Sequence, residues 1–201
     1  MKEKPMVEGT TLVMLRHGQT DLNATGRFQG QADIPLNAKG REQAEAARRR
    51  LTGVRFDAVY SSPLSRALET ARLIRPDADI VTDRRLMEID VGSWSGRTWD
   101  EVKAEIPDYD RRYANGEDFR RSPTGETLAE VVARGVPAMR EIAERHAGGL
   151  VLVVAHGLLL NRVIHALLGI EGRALGGLGN AHHSELLYTH GAWRLQAHNV
   201  S

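Results

Sequence analysis

In Leu12-Val-Met-Leu-Arg16-His17-Gly18 an apolar run ends abruptly on a guanidinium, an imidazole and a glycine. Buried strands usually finish in turn residues that solvate easily. This one finishes in a cation and a candidate nucleophile, beside a residue whose missing side chain permits close backbone approach. The arrangement recurs late in the chain, where Gly149-Leu-Val-Leu-Val-Val runs into Ala155-His156-Gly157. Between them, Ser61-Ser62-Pro63-Leu64-Ser65-Arg66 puts an arginine in the first turns of a helix just past a strand, and Glu88 sits in Leu86-Met-Glu-Ile-Asp-Val-Gly-Ser-Trp. Taken singly these residues have bland explanations. A strand-end histidine is more often a hydrogen-bonded structural group than a nucleophile, and an arginine at a helix start is usually a surface cation. Their joint occurrence points to chemistry.

The elements that must position them follow from apolar periodicity and punctuation. Thr10–Leu15 reads as a buried strand, followed by a helix over 36–53 with Gly53 as its stop. A second strand, Phe56–Ser62, leads to a helix over 63–76 with Pro63 suited to its first turn, then a third strand over 79–83. The stretch 94–124 is irregular, with short helices over Trp99–Ile106 and Pro107–Asn115. Thr127 and Glu130 form a capping-box pattern opening the longest helix, which runs to about His146 with a bend or break expected at Pro137. Strand 149–155, a helix over Leu158–Leu168 and two strands around a turn at Gly191 complete the chain. Strands alternating with helices predict an α/β three-layer sandwich, with a mainly parallel central sheet and helices on both faces. Ligands of such sheets bind beyond the C-terminal strand ends, where both His-Gly pairs fall.

Composition narrows the classes. The 201 residues suit one domain spanning 1–201, with 41% hydrophobic and 26% charged residues typical of globular proteins. A net charge of +1 argues against nucleic acid or an anionic membrane as partner; the local clusters Arg48–Arg50 and Arg120–Arg121 read as solvated surface charge. The absence of cysteine excludes disulfides, thiol nucleophiles and Cys-ligated zinc, and fits the cytoplasm. The opening Met-Lys-Glu-Lys-Pro-Met-Val-Glu-Gly-Thr reads as neither signal peptide nor anchor. Walker A, G-x-G-x-x-G and H-E-x-x-H patterns are missing. Gly92-Ser-Trp-Ser-Gly96 is a near miss for a nucleophile elbow, and Gly176-Gly-Leu-Gly-Asn180 reads as a turn or a pocket wall. His182 and His183, adjacent on a strand, point to opposite faces and so make a poor metal pair.

Taken in order, Arg16-His17-Gly18, Asn23 with Gly26-Arg-Phe-Gln29-Gly30, Ser61-Ser62-Pro63-x-x-Arg66-Ala67, Glu88-x-x-x-Gly92 and Ala155-His156-Gly157 resemble the histidine phosphatase superfamily, the phosphoglycerate-mutase-like proteins. The resemblance spans about residues 11–199. It implies that Arg16 and Arg66 clamp a phosphate dianion, that His156 adds a hydrogen bond or, protonated, a third positive charge, and that no metal or cofactor is needed. It makes His17 an in-line nucleophile forming a phosphohistidine, with its second ring nitrogen held by an acceptor. Glu88 becomes the acid for the leaving oxygen and then the base for water, which requires it to hold a proton. Asn23, Gln29 and Gly157 join the phosphate side. Gln19 and Leu22 depart from the usual Glu and Trp of that loop.

Mutases of the superfamily carry Glu-Arg-x-Tyr-Gly at the acid position and a longer insertion before the second histidine. Here Glu88-Ile-Asp-Val-Gly92 and the compact stretch to His156 favour hydrolysis of small phosphorylated metabolites. The alternatives are a phosphoglycerate mutase or a non-catalytic phosphate-binding relative. Leu175–Leu186 and Trp193–Asn199 are similar to segments of phosphatases that act on glucosyl-3-phosphoglycerate. The implied partner is a small-molecule phosphate ester, and a homodimer is left open.

Overall fold

A computed structural model describes residues 9–172 and 174–201; the opening segment read above lies, up to residue 8, outside the described residues. The elements in chain order are β1 (Thr10–Arg16), α1 (Asp21–Ala24), α2 (Ala38–Arg50), β2 (Ala58–Ser61), α3 (Ser65–Ile74), β3 (Ile80–Thr82), α4 (Trp99–Lys103), α5 (Tyr109–Ala114), α6 (Leu128–Arg145), β4 (Leu150–Ala155), α7 (Gly157–Leu168), β5 (His183–Thr189) and β6 (Ala192–Val200). The strands form one sheet in the order β3-β2-β4-β1-β5-β6. Pairs β3/β2, β2/β4 and β4/β1 are parallel, whereas β5 and β6 add antiparallel.

Strand periodicity divides the core into two faces. Val13, Leu15, Val59, Leu152 and Val154 pack with Ala47, Ala67, Ala71 and Ile74 of α2 and α3. Leu12, Met14, Tyr60, Val151 and Val153 pack with Val131, Met139, Leu159, Val163 and Ile164 of α6 and α7. Side chains alternate across a strand, so each central strand, with a run of consecutive apolar residues, feeds both cores. Full burial of Leu12, Leu15 or Leu152 is worth about 1.5–3 kcal/mol each. This is the expected three-layer α/β arrangement.

Local chemistry explains the helix ends, including those misplaced by sequence reasoning. The Thr127–Glu130 capping box is present in both directions, Glu130 N–H to Thr127 Oγ1 at 3.2 Å and Thr127 N–H to Glu130 Oε2 at 2.8 Å. Pro137 does not break α6, which continues to Arg145. Pro63 lies outside α3: Leu64 is the N-cap, with no side-chain cap of its own, and the Ser65 N–H is satisfied by Asp33 Oδ1 at 2.7 Å from a distant loop. The four-residue α1 was not foreseen, although Thr20 and Asn23 cap it reciprocally. In the irregular stretch the two helices end earlier than expected, at Lys103 and Ala114. At the Gly191 hairpin turn, His190 and Gly191 both have positive φ, of 49° and 77°, as a tight two-residue connection requires.

Candidate active site

Register brings the chemistry together. Arg16 pairs with Ala155 and Ser61 with Val154, so His17, His156 and Ser62 each stand one step beyond three adjacent parallel strands. His17 N–H bonds to Ala155 O and Ser62 N–H to Val154 O, both at 3.0 Å, which extends the ladder to the site itself. The two imidazole rings lie 5.1 Å apart, edge to face.

The hydrogen bonds of His17 define its tautomer. Nδ1 lies 2.6 Å from Gly18 O, an acceptor only, so Nδ1 carries the proton. Nε2 receives the Arg66 Nε–H at 3.3 Å, and arginine is a donor only, so Nε2 holds the lone pair. Burial, with the Arg66 and Arg16 guanidinium groups beside it, holds the His17 pKa well below the usual imidazole value. A neutral imidazole with Nε2 unprotonated is the form a nucleophile needs. The loop that carries it is clamped by a backbone contact: a Cβ on Gly18 would stand 2.3 Å from Gly40 O at the start of α2.

Arg66 is fully buried. Its Nη1 and Nη2 donate to Ala32 O at 2.8 Å and Gly30 O at 2.7 Å, which fixes the plane of the guanidinium over His17. Burial pushes its pKa down to about 10, while Glu88 and Asp33 oppose the shift, so it stays charged at neutral pH. Arg16 Nη1 donates to Leu178 O at 2.6 Å, making the glycine-rich 176–180 stretch a wall of the site. Arg16 Nε is buried without a partner among the described residues. Gly157 makes room for this side chain, since a Cβ there would sit 3.1 Å from Arg16 Nε. Its place is therefore against the arginine.

His156 Nε2 and the Ser62 hydroxyl share a hydrogen bond of 2.8 Å, and the same hydroxyl takes the Leu64 N–H at 3.3 Å. The buried Nδ1 of His156 has no partner among the described residues. Burial, then Arg66, His17, Arg134 and Arg16, pushes the His156 pKa well below its ordinary value. Burial and these cations favour the neutral imidazole. Burial first and the cations second weigh against the third positive charge that the sequence reading allowed.

Glu88 is tied to the start of α7, accepting from Leu159 N–H at 2.9 Å and Leu158 N–H at 3.2 Å, and from Ile89 N–H at 3.0 Å. Gln29 Oε1 accepts the Thr20 hydroxyl at 2.9 Å and Asn23 Oδ1 accepts the Thr20 N–H at 3.2 Å, which leaves their NH2 ends as donors. Arg16, Asn23, Gln29 and Glu88 line a cavity of about 360 Å³, while His17, Arg66 and His156 form the buried layer beneath it. The far wall, formed by Phe28, Trp99, Tyr109, Tyr113 and Arg121, had no sequence signal except the Arg120–Arg121 pair. Arg120 behaves as expected and pairs with exposed Glu130, but Arg121 is buried over the Phe119 ring. Ser62 and Thr20 were also missed as orienting groups. His182 and His183 are held separately by Asn199 and Glu185, and no group of three or more metal-ligating residues occurs among the described residues.

The profile of the histidine phosphatase superfamily (branch 1) matches residues 12–201. The chain belongs to that superfamily. A glucosyl-3-phosphoglycerate phosphatase of Mycolicibacterium vanbaalenii is 41% identical over 85% of this chain and 80% of its own length. Phosphoserine phosphatase 1 of Hydrogenobacter thermophilus is 33% identical over 80% and 77%. The solved structure of a mycobacterial glucosyl-3-phosphoglycerate phosphatase with VO3 superposes with a TM-score of 0.83 at 39% identity, covering 95% of this chain and 99% of the other. This histidine phosphatase is a hydrolase of small phosphorylated metabolites from a superfamily whose members work without a metal. Among the described residues no helix is long and apolar enough to cross a membrane.

The depressed histidines couple the site to stability. His17 and His156 stay neutral when folded, whereas in the unfolded chain they bind protons below about pH 6.5. Their contribution is fully present above that pH and is lost as pH falls toward their folded values. Urea unfolding should therefore show stability dropping from about pH 7 to 5.5, with a slope approaching about 1.4 kcal/mol per pH unit for each histidine. His17→Asn should cut that slope by about half, because His156 still contributes. A flat wild-type profile over that range contradicts the assignment.

Proposed function

We propose that this phosphatase hydrolyses a sugar phosphoglycerate through a phosphohistidine on His17. The observation that carries the catalytic part is the tautomer of His17, whose Nδ1–H is pinned to Gly18 O and whose Nε2 lone pair faces the buried guanidinium of Arg66. An incoming phosphate takes the N–H groups of Arg66 and Arg16, including the unpartnered Arg16 Nε–H, and the Nδ1–H of His156. As the Arg66 Nε–H turns to a phosphate oxygen, Nε2 becomes available to attack phosphorus in line. The P–O bond to the leaving group breaks, and Glu88 supplies the proton that the leaving oxygen needs. Water then attacks the phosphohistidine, giving its proton to Glu88, and inorganic phosphate departs. Asn23 and Gln29 donate their amide N–H groups at the rim.

The substrate part draws on two supports: the relatives named for glucosyl-3-phosphoglycerate, and the aromatic wall of Phe28, Trp99 and Tyr113, on which the apolar face of a pyranose can stack. The test is a screen of phosphate esters with and without a chelator. Glucosyl-3-phosphoglycerate should give the highest kcat/KM, ahead of 3-phosphoglycerate and phosphoserine, and EDTA should leave every rate unchanged. Activity lost to EDTA and restored by Mg²⁺ or Zn²⁺ would overturn the mechanism. Interconversion of 2- and 3-phosphoglycerate faster than phosphate release would favour a mutase.

A further inference from the structure

The cavity beside the nucleophile continues into a second one of about 430 Å³, lined by Asn161, Arg162, Leu175, Gly176, Gly177 and Leu178. The two share Arg16, Glu88, Tyr113 and Leu158, so they form one cleft running away from the phosphate end. Arg121 lines one part of it and Arg162 the other. They are close enough in space for the charge on Arg162 to add to the burial that lowers the pKa of Arg121.

Among the described residues Arg162 has no carboxylate at ion-pair distance, and Arg121 has only a long one. Arg121 is only 8% exposed, yet its acidic neighbour Asp118 stands 3.8 Å away, with both oxygens committed to the Leu128 and Ala129 N–H groups at the start of α6. Its Nη1 donates to Phe119 O, a neutral acceptor. Arg162 has a buried Nε with no partner among the described residues. Among the described residues Glu88 is the one acidic side chain in the lining of either part, and three backbone N–H groups already hold it. Arg134, by contrast, is similarly placed behind the site but fully served, by Glu126 at 2.8 Å and by the carbonyls of Arg85, Met87 and Glu88. A buried cation without a counter-ion is costly, and a planar guanidinium is best matched by a carboxylate.

We infer that Arg121 and Arg162 form a second anion subsite, which selects phosphate esters whose leaving group carries a carboxylate. This rests on the proposed reading of the site, with the phosphate held over His17, and assigns the recognition of the remainder of the substrate to residues outside the catalytic layer. The carboxylate displaces no close ion-pair partner among the described residues; Arg121 keeps its Nη1 bond to Phe119 O and its long contact with Asp118.

A matched pair of substrates isolates the effect: 3-phosphoglycerate and glycerol 1-phosphate differ in a carboxylate against a hydroxymethyl group. The quantity read is the ratio of their kcat/KM values in the wild-type enzyme, Arg121→Gln and Arg162→Gln. Each substitution should lower the ratio by about tenfold to a hundredfold, the scale of one charge-assisted contact, chiefly through KM for 3-phosphoglycerate. Arg162→Lys should restore part of it. A ratio within about twofold of wild type in Arg162→Gln would overturn the inference; this half-exposed position keeps the test decisive even where Arg121→Gln does not fold. If p-nitrophenyl phosphate is turned over and leaves label on His17 while the ratio does not move, the subsite alone fails. If wild-type enzyme leaves no label on His17, the reading of the catalytic layer fails instead.

Discussion

His17→Ala is expected to abolish turnover and the phosphoenzyme together, by on the order of 10⁶-fold, the scale seen when a covalent nucleophile is deleted. The reason lies in what remains. Arg16, Arg66 and His156 would still bind the ester, but no lone pair would stand in line with phosphorus, and water has no general base aimed at that position. Wild-type enzyme mixed briefly with a labelled ester and quenched without acid should carry label that is stable to base and labile to acid. In His17→Ala the label should vanish. Because burial and the two arginines keep the wild-type imidazole neutral, label formation should not fall on account of His17 as pH drops through 6.5. More than a trace of turnover in His17→Ala would make direct attack by water the better mechanism.

Glu88→Gln should separate chemistry from scaffolding. An acid matters in proportion to how badly the leaving group needs a proton. A glycerate alkoxide needs one and p-nitrophenolate does not. Phosphoenzyme formation should therefore slow by about 10²–10⁴-fold for the alkyl ester and far less for p-nitrophenyl phosphate. Hydrolysis of the phosphohistidine should slow for both, because the same carboxylate activates the water. Single-turnover measurements resolve the two steps. Equal loss in the first step for both substrates would reduce Glu88 to a cap on α7, a role its bonds to the Leu158 and Leu159 N–H groups already describe. Asp90, two residues on, is no substitute: its Oδ1 holds the Gly92 N–H at 2.8 Å, and it does not line the cavity.

The order and type of the main elements were legible because their causes are local. Apolar runs over 12–15 and 150–155, the Thr127–Glu130 capping box and the Gly191 turn each involve residues a few positions apart. The rule that parallel sheets bind ligands beyond their C-terminal edge placed His17 and His156 at one edge, and the register of β1 on β4 makes them neighbours. Where sequence reasoning erred, the deciding contact came from elsewhere in the chain. Asp33 caps α3, so Pro63 did not have to begin it. Other distant contacts refine the site without overturning its reading: Gly157 stands against Arg16, and burial with the cations around it lowers the His156 pKa.

The same division runs through the site. By itself the sequence determined which groups can do the chemistry, since an imidazole, two guanidiniums and a carboxylate keep their reactivity in any fold, and it determined the strands that carry them. Only the tertiary structure decided their state and reach: which nitrogen of His17 holds the lone pair, which arginine of the pair at 120 and 121 is buried, and that a helix residue, Arg162, reaches the same cleft. Protonation, burial and counter-ion pairing are properties of neighbours in space, and those neighbours come from segments far apart in the chain.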